Sequence, residues 1–72
     1  MKHYEFDLLD KGQIVTLEED ETMDIKSGLY KVLRVRYEND EVVYYMKNVH
    51  NVSERHILTM AYVHRIGYWG KL

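Results

Sequence analysis

The sequence predicts one small, mainly β domain, and three observations carry that prediction. Eight Val, four Ile and seven Tyr stand against one Ala and no Pro. Such β-branched and aromatic side chains fit a pleated, half-buried surface, and the best helix former is nearly absent. Two alternating runs flank Asn39-Asp40, a dipeptide that tolerates the positive φ of a two-residue hairpin turn. A third run, Gln13-Ile14-Val15-Thr16-Leu17-Glu18, alternates directly after the turn residues Asp10-Lys11-Gly12.

In chain order, Tyr4, Phe6 and Leu8 alternate with Glu5 and Asp7 and suggest a weak first strand. A firmer strand falls near 13–18, with Val15 and Leu17 on one side. Glu18, Glu19, Asp20, Glu21 and Asp24 then put five acids into seven residues. Such a segment repels itself and lacks apolar anchors, so a solvated loop is expected over 18–24. Gly28 opens a strand over 29–38, and its hairpin partner runs over 41–49.

A two-residue loop fixes the hairpin register, so Glu38 faces Glu41 and Tyr37 faces Val42. Leu33, Val35, Tyr37, Val42, Tyr44 and Met46 then share one face, and Arg34, Arg36, Val43, Tyr45 and Lys47 share the other. Tyr30, Val32 and Val49 spoil the pattern at the far end. A bulge near Leu33 returns Tyr30 and Val32 to the core side, and bulges are how small sheets curl.

Downstream, Ser53-Glu54 reads as an N-cap and a first-turn acid. One or two helical turns are expected over 53–59, then a strand over 62–66. A single helix over 53–66 is the alternative. The expected core is Val15, Leu17, Tyr30, Val32, Leu33, Val35, Tyr44, Met46, Ile57, Val63 and Ile66. The tail Tyr68-Trp69 is expected to pack in part.

The chain has 72 residues and no cysteine, so a single domain over 1–72 is expected, without disulfides or thiolate metal sites. A domain this small buries only about 60% of its unfolded surface, which leaves a narrow stability margin. No run approaches the roughly 20 apolar residues of a membrane span. The polar start, Met1-Lys2-His3-Tyr4-Glu5, does not resemble a signal peptide. A reducing, cytoplasmic setting without membrane attachment is the expectation. The net charge of −2 conceals an asymmetry. Residues 1–25 carry two lysines against eight acids, or −6, and residues 26–72 carry eight cations against four acids, or +4.

The succession of Gly12 and a strand through Leu17, an acidic loop, Gly28-Leu29-Tyr30-Lys31-Val32-Leu33-Arg34-Val35, a hairpin, a helical turn and a last short strand resembles an SH3-like small barrel. The resemblance covers about 12–66 and lies in strand spacing. It implies a five-stranded, strongly bent sheet with one short helical turn. It implies no single function, because such barrels host peptide binders, nucleic-acid binders and assembly parts. The aromatics and prolines of a proline-peptide groove are not in place. A short chain of this kind also looks like the small accessory proteins of phages and other mobile elements.

No constellation for catalysis stands out. Ser27 and Ser53 lie outside any G-x-S-x-G elbow, and the four glycines are scattered singly, so no phosphate-cradling loop exists. A non-enzyme without a cofactor is expected. His56 and His64 are eight residues apart, about 11 Å along a helix. Ordinary hydrogen-bonding histidines are a better reading of them than zinc ligands.

Binding is more promising. Arg34 faces Tyr45 and Arg36 faces Val43, with Lys47 beside them. Arginines grip carboxylates through paired N–H groups. Interleaved cations and aromatics also grip phosphates and stack bases. A plain solvated face with a cation–π pair is the third reading. Tyr68 and Trp69 add to the candidate partner surface, because Tyr and Trp are favoured at interfaces. The acidic loop either aids solubility or docks on a basic partner. A protein-interaction module of accessory or regulatory type is therefore expected. The alternative is a nucleic-acid binder using Arg34, Arg36, Tyr45 and Lys47, and a homodimer through a sheet edge or the Tyr68-Trp69 tail remains a further option. Val35→Asp is expected to unfold the chain, since an unpaired buried charge outweighs the margin of a small core. A cooperative melt near the parent value would refute the core assignment.

Overall fold

The computed structural model describes residues 8–68. It contains β1 (Ile14–Leu17), β2 (Gly28–Glu38), β3 (Glu41–Asn48), β4 (Arg55–Thr59), the helix α1 (Met60–Ile66) and β5 (Gly67–Tyr68). The strands form one antiparallel sheet in the order β4-β3-β2-β1-β5. Four are substantial, and β5 adds only two residues, Gly67 and Tyr68, opposite Leu17 and Thr16. The chain is thus mainly β. The sheet is open, however, since no ladder joins β4 to β5 among the described residues. The short helix packs on β3, β4 and β5, across the gap between the two end strands.

The central hairpin follows from its turn. Asn39 and Asp40 have φ of 52° and 64°, the left-handed pair whose twist matches that of the flanking strands. Pairing runs in the expected register from Glu38↔Glu41 to Arg34↔Tyr45. At Leu33 it slips by one, and Val32 faces Met46 while Tyr30 faces Asn48. Leu33 is the extra residue of a β-bulge. The bulge turns Tyr30 and Val32 inward, and both are 0% exposed.

One apolar cluster holds the sheet together: Leu9, Val15, Leu17, Ile25, Tyr30, Val32, Tyr44, Met46, Leu58 and Val63. Val35 and Ile66 pack against it in part. Leu33 is only half-buried, because a bulged residue follows neither face of the ladder. Ile57 was expected in the core, but it lies on the outer face and is 61% exposed. Its neighbour Leu58 takes the core position instead.

The order of elements after Asn51 is the reverse of the expectation. Residues 55–59 form a strand and residues 60–66 a helix. The open edge of β3 decides this. Arg55–Thr59 pairs with it at five positions, from Lys47↔Arg55 to Val43↔Thr59, with Leu58 turned in and Ile57 out. Ser53 does not cap a helix. It belongs to a loop organised by the buried Asn48, whose Oδ1 accepts from the N–H of His50 at 2.8 Å and of Asn51 at 3.0 Å. The real N-cap is Thr59, whose Oγ1 accepts from the N–H of Tyr62 at 3.2 Å. His64 and Arg65 occupy the last turn, where a positive charge complements the helix dipole. Within α1, residues 62–66 read as strand material because of their Tyr, Val and Ile. Seating Val63 in the core, at 0% exposure, overrides that weak local preference.

At the N-terminal side, Tyr4 and Phe6 lie outside the described residues. Leu8–Asp10 is not a strand. Leu9 is buried in the core cluster, and its N–H donates to the Tyr44 hydroxyl at 3.1 Å. Burial pushes the Tyr44 phenol above its ordinary pKa.

Gly67 is where α1 meets β1. A Cβ there would lie 2.8 Å from the Val63 carbonyl oxygen and 2.9 Å from Leu17 Cδ2. Gly67→Ala is therefore expected to lower stability by about 1–3 kcal/mol through overpacking. Urea denaturation checks this, and an unchanged midpoint would mean that the α1–β5 corner is not seated on β1.

Candidate functional site

Directly opposed residues of an antiparallel sheet project from the same face, so the register builds the outer surface row by row. Ile14, Lys31, Lys47 and Arg55 form one row across β1, β2, β3 and β4. Arg34, Tyr45 and Ile57 form the next, and Arg36, Val43 and Thr59 the one after it. Arg34, Arg36, Tyr45 and Lys47 thus come together on one face, as the hairpin register implies. Lys31, Arg55 and Ile57 join them there.

Both additional cations have clear structural origins. Lys31 faces outward because the bulge at Leu33 reverses the parity of the N-terminal half of β2. Arg55 is present because residues 55–59 are a strand, where the sequence suggested helical turns. The Arg34 guanidinium carbon lies 5.8 Å from the centroid of the Tyr45 ring, within cation–π range. The Tyr45 hydroxyl donates to Glu38 Oε2 at 3.0 Å, and Arg36 Nε lies 3.7 Å from the same oxygen. That ion pair is exposed and contributes little to stability. Beside Tyr45 a cleft of about 290 Å³ opens, lined by Leu33, Tyr45, Met46, Arg55, His56 and Ile57.

The backbone of Tyr68 pairs with Thr16 in β5, the end of the sheet opposite β4. Trp69 lies outside the described residues.

The acidic segment has anchors that its composition does not suggest. Asp20 and Ile25 exchange both backbone hydrogen bonds, each at 2.9 Å, and Ile25 is buried. Asp24 turns the chain at φ 58°, and Asp20 Oδ1 accepts from the Thr22 N–H at 3.0 Å. The other Asp20 oxygen accepts from the Tyr62 hydroxyl, which ties the turn to α1. The Arg65 guanidinium carbon sits 5.3 Å from the Tyr62 ring centroid. Glu18, Glu19, Glu21 and Asp24 remain exposed. One apolar anchor and one side-chain tie thus organise a segment whose composition alone suggested a solvated loop.

These contacts shift two ionisable groups. The Tyr62 hydrogen bond holds the Asp20 carboxyl below its ordinary value. Burial, reinforced by Asp20, pushes the Tyr62 phenol up to about 12. Of the histidines, His56 Nε2 lies 3.2 Å from Glu54 Oε1, and its ring centroid is 5.8 Å from that of Tyr30. His64 is carried by α1. Among the described residues no three His, Asp or Glu side chains gather closely enough to hold a metal ion. Nor is any helix among them long and apolar enough to cross a membrane.

Compared with known proteins, the chain matches no family model, no curated protein and no solved structure.

The Asp20–Tyr62 tie has a pH signature of definite sign. A lowered carboxyl pKa contributes stability above the ordinary value of 3.8 that is lost as pH falls through the folded value. A raised phenol pKa contributes stability below 10.0 that is lost as pH rises through about 12. Tyr62→Phe is therefore expected to lower Tm at neutral pH and to flatten both limbs of the Tm–pH curve. Circular-dichroism melts from acid to alkaline pH check this, and limbs identical to the parent's would exclude the tie.

Proposed function

We propose that this chain is a non-enzymatic protein-interaction module on an SH3-like small barrel, acting as an accessory or regulatory protein in a reducing, cytoplasmic setting. Its docking surface is the outer face of β2, β3 and β4, and its partner presents acidic groups. The observation that carries this reading is the clustering of Lys31, Arg34, Arg36, Lys47 and Arg55 around Tyr45 and the exposed Ile57. The barrel assignment rests on the strand order, on the bulge that bends β2 and on the helix between the last two strands. In it, α1 closes the gap that no ladder spans.

The choice of a protein partner follows from how the face is composed. A base-stacking surface needs free aromatic rings. Tyr45 is the aromatic of these rows, and its ring is covered by Arg34 while its hydroxyl is engaged by Glu38. Ile57, 61% exposed among the cations, suits the mixed apolar and charge-assisted contacts of a protein interface. The acidic 18–24 turn is tied to α1 through Asp20.

A second reading is nucleic-acid binding. The row Lys31–Lys47–Arg55 favours it, as an uninterrupted line of cations that suits a phosphate backbone.

One experiment separates the two. Immobilised protein is presented to nuclease-treated and untreated lysate, beside an Arg34→Glu/Lys47→Glu variant shown to melt like the parent. A defined protein that survives nuclease and is lost with the variant supports the interaction module. Retention of nucleic acid, with binding that falls steeply as salt rises, overturns it in favour of the second reading.

A further inference from the structure

The outer face ends at an unpaired sheet edge. β4 is the terminal strand of the ladder, and among the described residues no strand pairs with its far side. The phase of its hydrogen bonds follows from the loop before it. The Asn48 N–H donates to the Glu54 carbonyl at 2.8 Å, which makes Asn48 and Glu54 a hydrogen-bonded pair. Such pairs alternate along an antiparallel ladder. His56 and Leu58 therefore spend their backbone groups on β3, and the N–H and C=O of Arg55 and Ile57 point to the open edge. Proteins blunt such edges with charged side chains, lysine above all, with proline or with a bulge. β4 carries the single charge of Arg55 but no lysine, proline or bulge, and at its centre it exposes Ile57.

We infer that β4 accepts an extended segment of an acidic protein partner as a further strand. This inference rests on the interaction reading above and names the partner's chemistry. The row Lys31–Lys47–Arg55 terminates at the edge, so the next position in that row takes a carboxylate. The row Arg34–Tyr45–Ile57 terminates one step further along, so its next position takes an apolar side chain beside the cleft. The two positions are two residues apart on one strand, because alternate side chains share a face. The recognised pattern is acidic, any residue, apolar, in extended conformation. Backbone hydrogen bonds to Arg55 and Ile57 supply affinity, and the two rows supply selectivity. The Arg55 guanidinium donates through Nε to the Val52 carbonyl at 3.2 Å, which leaves its terminal nitrogens for the incoming carboxylate.

The test uses the full chain, labelled with ¹⁵N, and a short acetylated peptide with Glu, Val and Glu at alternate positions and Thr or Ser between them. Saturating peptide is expected to protect the Arg55 and Ile57 amides from exchange. N-methylation of the peptide amide at Val is expected to weaken binding about tenfold or more, and Ile57→Lys or Arg55→Glu to do the same. Methylation leaves the protein untouched, so it decides the matter even if a variant misfolds. If peptide and methylated peptide bind alike, or only outer-face side chains respond, the edge inference is overturned while the basic-face reading stands. If the peptide does not bind but the charge-reversal variant still abolishes partner capture, the inference is overturned on its own. Protection that grows with protein concentration in the absence of peptide would assign the edge to a second copy of the chain and overturn the acidic partner.

Discussion

The extra residue at Leu33 sets the two surfaces of this small sheet. Side chains along a strand alternate between faces, so one added residue reverses the assignment of everything on one side of it. Tyr30 and Val32 enter the core because of that reversal, and Lys31 leaves it. A regular β2 would expose two side chains that now lie at 0% exposure, each contributing about 1.5–3 kcal/mol by burial. It would also turn a lysine toward the apolar cluster. One irregularity in the backbone therefore determines both what the core contains and which cations the outer face carries.

Around this sheet, a few polar contacts fix segments that apolar burial alone does not. The Leu9 N–H on the Tyr44 hydroxyl holds the entering chain against the core cluster. Asn48 gathers the loop that delivers β4 to the edge of β3. The Asp20–Tyr62 bond joins the acidic turn to α1. In a domain with so small a core, each such contact is a sizeable part of the margin that separates folded from unfolded chain. The last of them also involves charge. It anchors the acidic turn to the helix, while among the cations of the outer face Arg36 pairs with Glu38 of its own strand. The bipolarity of the sequence survives as two separate features of the fold.

The hairpin and its outer face were legible in the amino-acid pattern because they depend on local rules. Asn39-Asp40 tolerates left-handed backbone, alternation fixes the register, and the misfit of Tyr30 and Val32 points to a bulge. Arg34, Arg36, Tyr45 and Lys47 follow from that register. Lys31, Arg55 and Ile57 do not follow so simply. Lys31 depends on carrying the reversed parity through the bulge, and the misfit of Tyr30 and Val32 was the signal for it. The other two depend on residues 55–59 being a strand. Arg55-His56-Ile57-Leu58-Thr59 alternates only weakly, and Ser53-Glu54 imitates a helix start.

The sequence by itself determined a mainly β chain, its central hairpin and the side from which Arg34, Arg36, Tyr45 and Lys47 project. Those features need only neighbours within a turn or across a two-residue loop. The tertiary structure decided which of the last segments became strand and which became helix, since β3 offered an unpaired edge and the core offered a seat for Val63. It also decided that a segment carrying five acids would be an ordered turn, because Ile25 and Tyr62 supply an anchor and a partner that composition does not reveal. Local propensities differ by fractions of a kcal/mol per residue, and the burial and pairing available only in the assembled sheet exceed them.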